Sequence, residues 1–208
     1  MLVAECTLDW GERTQVSDNM LLSKALIFAA GAHEGQFREG TSDPPEPYIE
    51  HPKRVVALLQ DWGVRPWTSN VAARHVLAIA ALHDVLEDTT TMYSTLYREF
   101  GSFIAGGVDL LSKPKRDEYF RNKRYRAILG HAPWYIRLVK AADRVDNLNS
   151  LQGARWDLER IRDYVEDSNE LFGLLGTSEP EMFTGELMGS GQAALQEAIS
   201  RVNRDNPW

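Results

Sequence analysis

The sequence predicts an all-α protein, and three features carry that reading. Apolar residues recur at intervals of three and four through most segments. Proline and glycine punctuate those segments where helices would start and stop. No stretch reads strongly as a strand, and neither a Gly-rich dinucleotide fingerprint nor a P-loop occurs.

The first helix is expected in "SDNMLLSKALIFAAGAHEGQFR", opened by the cap-type residues Ser17 and Asp18 and carrying Leu22, Ala25, Leu26 and Ala29 on one stripe. "EGTSDPPEP" is a loop by its glycine and proline content. "HPKRVVALLQDWG" starts the next helix with Pro52 in the first-turn position, which places His51 at the N-cap, and Gly63 is its stop. "SNVAARHVLAIAALHDVLEDT" is the most apolar helix and is expected at the centre of the core. "MYSTLYREF" and "SFIAGGVDLLS" form two shorter helices split at Gly101. Pro114 interrupts before "RDEYFRNKRYRAILG", and Pro133 opens "WYIRLVKAADRVDNLNSL". "DLERIRDYVEDSNELFGLL" is a further amphipathic helix, and "QAALQEAISRV" is the last. The expected division is a domain over residues 17–176 and a C-terminal helical extension over 177–208.

A chain of 208 residues can bury a core of its own. Its composition, 43% hydrophobic and 25% charged, is that of an ordinary globular protein. A net charge of −7 argues against nucleic-acid or anionic-membrane partners. Cys6 is the single cysteine, which excludes a disulfide framework and a cysteine zinc site. No apolar run approaches the roughly 20 residues of a membrane span. The start carries Glu5, Asp9 and Glu12 rather than a basic signal region, so a cytoplasmic location is expected.

The chemistry concentrates in "AALHDVLEDT". On a helix, His83 lies four residues from Glu87 and Asp84 four from Asp88, two neighbouring ridges of one face. Burying so many carboxylates without compensation costs several kcal/mol, and a divalent cation resolves that for some of them. Stepping through "LVKAADRVDNLNSL" by threes and fours gives Ile136, Val139, Asp143, Asn147 and Leu151, so Asp143 falls on an apolar stripe and asks for a cationic partner. His51, His83, Asp84 and Asp143 make a mixed imidazole and carboxylate set that suits Mn²⁺, Fe²⁺ or Zn²⁺. "KPKRDEYFRNKRYR" is the main basic cluster, with Lys113, Lys115, Arg116, Arg121, Lys123, Arg124 and Arg126 against Asp117 and Glu118. Most of it reads as a solvated helix face, and Lys113 is the residue expected to meet phosphate.

A histidine, then His-Asp, then a distant Asp resembles the metal-binding pattern of the HD-domain phosphohydrolases. More narrowly, "AHEGQFR", "EPYIEHP", "AALHDVLEDT", "LSK" and "LVKAADRVDNL" resemble the hydrolase domain of the RelA/SpoT family, in its small stand-alone form, over roughly residues 20–175. The resemblance implies an HD-domain helical bundle and Mn²⁺ held by His51, His83, Asp84 and Asp143. It implies that Glu87 and Asp88 activate the attacking water. By the same resemblance Arg38 packs on a purine base, Asn147 contacts the ribose and Lys113 faces the phosphates. The implied reaction removes the 3′-pyrophosphate of guanosine tetra- or pentaphosphate, a soluble nucleotide. A nucleoside triphosphate or an NADPH-like cofactor is the alternative substrate, and a catalytically silent nucleotide sensor the alternative class. Three features depart from the family: the insert at 39–46, Glu39 after the arginine, and Asp146 beside Asn147. Glu39 and Asp146 are expected in the substrate shell. His33, His75 and His131 read as packing or solvated residues, and Trp62, Trp67, Trp134 and Trp156 as helix packing. Tyr48 is a candidate pocket residue.

Overall fold

The computed structural model describes residues 10–38, 44–65, 73–113, 118–151, 156–175 and 182–206, with the backbone alone at 10–19, 118–124, 174–175 and 182–185. Nine helices are found among the described residues: α1 (Trp10–Ala32), α2 (Glu50–Asp61), α3 (Ala73–Leu82), α4 (Val85–Asp88), α5 (Tyr93–Leu111), α6 (Glu118–His131), α7 (Trp134–Ser150), α8 (Leu158–Leu175) and α9 (Met182–Asp205). Among those residues the single β-type pairing is an isolated antiparallel bridge between Phe37 and Pro47. The all-α expectation therefore holds.

The core is organised around α3. Every residue from Val76 to Leu82 is buried, and over that span the helix is apolar on all sides, as enclosure by other helices requires. α1, α2, α5 and α7 pack around it, and α7 in turn carries α8 and α9. Leu195, Ala198, Ile199 and Val202 of α9 are buried in the same core. α3 and α5 meet at Gly107, where a Cβ would lie 2.5 Å from Ile79 Cδ1 and 3.3 Å from Ile136 Cδ1.

Two expected breaks are present. Gly63 has φ +102° and closes α2: its N–H donates to the Gln60 carbonyl at 3.0 Å and the Val64 N–H to the Leu59 carbonyl at 2.9 Å. Gly101, at φ 81°, kinks α5 into the two segments read from the sequence. Other boundaries differ. α1 begins at Trp10, so Ser17 and Asp18 lie inside it, with no proline or glycine between Glu12 and Met20 to stop it. α2 begins at Glu50, which makes His51 its second residue rather than its cap. Pro52 is third, still in the turn whose N–H groups lack intrahelical acceptors. α9 begins well before Gln192.

The largest difference decides the site. The central helix does not run through to Asp88; it ends at Leu82, and His83 and Asp84 form a turn before the single turn of α4. His83 Nδ1–H donates to the Ala80 carbonyl at 2.8 Å, the acceptor that the Asp84 N–H would use in a continued helix. Asp84 keeps its i to i+4 relation to Asp88 through the Asp88 N–H to Asp84 carbonyl bond at 2.8 Å. His83 and Asp84 thus leave the helix axis together and turn toward α2 and α7.

Replacing Gly107 by alanine should overpack the contact with Ile79 and cost about 1–3 kcal/mol. Urea unfolding of G107A checks this, and an unchanged midpoint would contradict the close helix approach.

Candidate active site

Four side chains from three directions converge. His51 comes from the first turn of α2, His83 and Asp84 from the turn after α3, and Asp143 from the middle of α7. His51 Nε2 lies 3.2 Å from Asp143 Oδ1, 3.4 Å from Asp84 Oδ2 and 3.2 Å from His83 Nε2. His83 Nε2 lies 2.8 Å from Asp84 Oδ2 and 3.6 Å from Asp143 Oδ1. One donor atom from each of the four falls within 4.8 Å of the others. Both histidines and Asp143 are buried.

The outer nitrogen of each ring is committed to donation. His83 Nδ1–H goes to the Ala80 carbonyl, and His51 Nδ1–H to Asp146 Oδ2 at 2.7 Å. The neutral rings therefore turn their Nε2 lone pairs to the same point as the two carboxylates. That is the donor chemistry of a divalent cation, with oriented imidazoles and hard oxygen ligands. Burial disfavours a charged imidazole, yet bonds to Asp143, Asp146 and Asp84 push His51 up to about 9. Against the same burial, the charge of Asp84 and the bond to Asp143 push His83 up to about 10. Burial opposes the ionised form of Asp143, but the Lys140 ammonium beside it holds its carboxyl well below the usual range. Lys140 Nζ donates to Asp143 Oδ2 at 2.6 Å. The cationic partner that Asp143 requires thus includes a lysine three residues back on its own helix.

Glu87 and Asp88 border the cluster on α4. Glu87 Oε2 accepts the Lys113 backbone N–H at 2.9 Å. The Tyr48 hydroxyl lies 2.7 Å from Asp84 Oδ2 and 2.9 Å from Asp88 Oδ2, bridging the cluster and the pair after it. Burial, then the charges of Asp84 and Asp88, hold the Tyr48 phenol far above its usual range, so it remains a donor. His33 stacks on Tyr48 at 4.4 Å and its Nδ1–H donates to Gln36 Oε1 at 2.8 Å. Gln36 in turn donates to the Asp88 carbonyl at 2.9 Å. His33 is therefore a support for the pocket wall.

A cavity of about 360 Å³ opens beside the cluster, with Arg38, Tyr48, Glu87, Asp88, Lys113 and Asn147 in its lining. Such a volume suits a small-molecule ligand. The bridge from Phe37 to Pro47 sets Arg38 on the rim, with the Arg38 N–H donating to the Glu46 carbonyl at 2.8 Å. Arg38 Nη2 donates to Asn147 Oδ1 at 2.7 Å, and Asn147 Nδ2 to Asp143 Oδ1 at 2.7 Å. Arg38, Asn147 and Asp143 form one connected line from rim to cluster. Lys140 and Arg144 of α7 add two further cations to the wall, and Tyr164 and Trp156 close it. The charge of Lys140 and then burial lower the Lys113 ammonium below its ordinary value.

Several positions correct or extend the sequence reading. Asp146 is not in the substrate shell: it is buried behind His51 and bonded to Arg54. Its place follows from spacing, since residue 146 lies three after Asp143 on α7, the face turned to α2. Trp156 lines the cavity instead of serving only as helix packing, and its buried indole N–H has no partner among the described residues. Lys140, Arg144 and Tyr164 were not singled out; Lys140 and Arg144 could have been found as positions three before and one after Asp143. In the basic strip, Arg126 is engaged by Asp167 and by Glu170 at 2.5 Å. The side chains of Lys115, Arg116, Arg121, Lys123 and Arg124, with Glu39 and Trp67, lie outside the described residues.

Fold and donor set together define a helical protein with a candidate divalent-cation centre beside a cavity. A family model described as the HD domain matches residues 48–148. The chain is 32% identical over 170 residues to guanosine-3′,5′-bis(diphosphate) 3′-pyrophosphohydrolase MESH1 of Xenopus tropicalis, covering 78% of this chain and 89% of that protein. It is 34% identical over 147 residues to the bifunctional (p)ppGpp synthase/hydrolase SpoT of Escherichia coli, covering 67% of this chain and 19% of that protein. A solved structure of a metazoan SpoT orthologue, reported to hydrolyse ppGpp and to act in starvation responses, shares the fold at a TM-score of 0.70 and 24% identity. It covers 90% of this chain and 96% of its own. The chain belongs to the HD-domain phosphohydrolases, in the RelA/SpoT-type branch that includes the small stand-alone enzyme MESH1. No described helix is long and apolar enough to cross a membrane.

Protons and a divalent cation compete for the same ring nitrogens. With His51 raised to about 9 and His83 to about 10, protons shared by this ring pair compete with a cation at neutral pH. Cation affinity should therefore rise with pH up to about 10, the higher of the two values, and binding below that pH should release protons. Calorimetric titration at pH 6.5 and 8.5, in buffers of different ionisation enthalpy, checks this. Equal affinity at both pH values would contradict it.

Proposed function

We propose that the protein hydrolyses the 3′-pyrophosphate of guanosine tetra- or pentaphosphate, yielding GDP or GTP and pyrophosphate, with Mn²⁺ held by His51, His83, Asp84 and Asp143. The observation that carries this reading is the convergence of those four donors beside Glu87 and Asp88, in a cavity walled by Lys113, Lys140 and Arg144. The similarity to MESH1, over most of both chains, supports the choice of substrate.

Held by His51, His83, Asp84 and Asp143, a divalent cation would supply Lewis acidity for a nearby water and for the phosphoryl charge. Glu87 and Asp88 orient the attacking water and accept its proton. Tyr48 lies in reach of both Asp84 and Asp88 and shares its single proton between them, and the Lys113 backbone N–H holds Glu87, so both acids are pre-positioned. The water oxygen bonds to the phosphorus carried by the ribose 3′ oxygen. The bond from that phosphorus to O3′ breaks, O3′ takes up a proton, and pyrophosphate leaves. Lys113, Lys140 and Arg144 offset the phosphate charge. Arg38 packs on the base and Asn147 meets the ribose, and their mutual hydrogen bond fixes both before substrate arrives.

The test is product analysis with Mn²⁺ present, offering guanosine tetraphosphate, ATP, GTP and NADPH in parallel and quantifying phosphate and pyrophosphate. Pyrophosphate from guanosine tetraphosphate alone is expected; turnover of another nucleotide instead would overturn the substrate assignment. Glu87→Gln and Asp88→Asn should each lower kcat by about 10²–10⁴-fold while substrate still binds. Retention of turnover in both variants would overturn the assigned proton acceptors.

A further inference from the structure

Behind the cluster a second line of side chains has no counterpart in the proposed chemistry. Asp146 is 4% exposed, and each of its carboxylate oxygens is occupied. Oδ2 accepts the His51 Nδ1–H at 2.7 Å and Arg54 Nη2 at 3.2 Å, and Oδ1 accepts Arg54 Nε at 2.6 Å. The other edge of the same guanidinium grips Glu46, with Nη1 at 2.6 Å from Oε1 and Nη2 at 3.0 Å from Oε2. The carbonyl of Glu46 accepts the Arg38 N–H at 2.8 Å. The line runs from His51 on α2, through Asp146 on α7 and back to Arg54 on α2, and ends on the bridge that carries Arg38.

We propose that Asp146 is a positioning residue for His51, that Arg54 locks it, and that Arg54 thereby ties the cation site to the rim segment carrying Arg38. Carboxylate acceptance of the Nδ1–H selects the tautomer whose Nε2 faces Asp84 and Asp143, and fixes the ring plane. The planar fork of Arg54 matches carboxylates on two edges at once, which a lysine cannot do. A buried Asp146 without that fork would be free to swing from His51, and Glu46 would release its hold near Arg38. Asp146 and Asn147, adjacent in sequence and about 100° apart around α7, thus flank Asp143: one steadies a cation ligand through His51, the other meets the rim arginine.

This rests on the cation reading of the same site but not on the identity of the nucleotide. Mn²⁺ is titrated calorimetrically into wild type, Asp146→Ala, Asp146→Asn and Arg54→Met, with unfolding temperature recorded separately. The dissociation constant should rise by about 10–100-fold in D146A. It should rise less in D146N, which keeps an oxygen acceptor for the ring N–H, and by about 3–10-fold in R54M. If D146A does not fold, D146N and R54M decide, because D146N removes the buried charge while keeping the side chain's shape and Arg54 itself is partly exposed. Tight wild-type binding matched within about twofold by all folded variants overturns the positioning role, whatever their unfolding temperatures. Wild-type protein that takes up no Mn²⁺ overturns both this role and the cation reading.

Discussion

Two imidazoles and two carboxylates face one point within a few ångströms of each other, and the rest of the structure is arranged to make that tolerable. Like groups at such distances in a buried setting repel unless a positive charge stands among them. The fold supplies part of that charge itself, as Lys140 against Asp143 and as raised proton affinity on His51 and His83. The remaining demand is what a divalent cation satisfies. The break after Leu82, where the His83 ring takes the Ala80 carbonyl, brings His83 and Asp84 together with Asp143.

α7 shows how a core helix can carry charge. Arg137, Lys140, Asp143, Arg144 and Asp146 are all buried in it, a composition that would be destabilising without partners. Asp143 meets Lys140, His51 and Asn147; Asp146 meets His51 and Arg54; Arg144 lies over the Tyr164 ring at 4.1 Å. α7 packs on α3 and α9 while Lys140, Asp143 and Arg144 line the cavity and Asp146 backs His51. Stability and chemistry thus share one element without sharing side chains.

Helical periodicity was enough to read the fold class, the central place of α3, and the stops at Gly63 and Gly101. Residue type, with the resemblance to the RelA/SpoT hydrolase domain, grouped His51, His83, Asp84 and Asp143, and the fold brings those four side chains together. The turn at His83 and Asp84 was not legible, because it depends on a side chain capturing a backbone carbonyl. Tyr48 between Asp84 and Asp88, and Asp146 behind His51, depend on how α2 and α7 face each other. An aspartate next to Asn147 looks like added charge at the substrate until the helix face it occupies is known.

The most direct measurement is the metal content of the purified protein after loading with Mn²⁺ and removal of excess, compared with His83→Ala and Asp143→Ala variants treated alike. One equivalent in the wild type and loss of it in both variants is the expected result. A wild type that retains no metal, or variants that retain a full equivalent, would contradict the claim that these four side chains converge on a single cation.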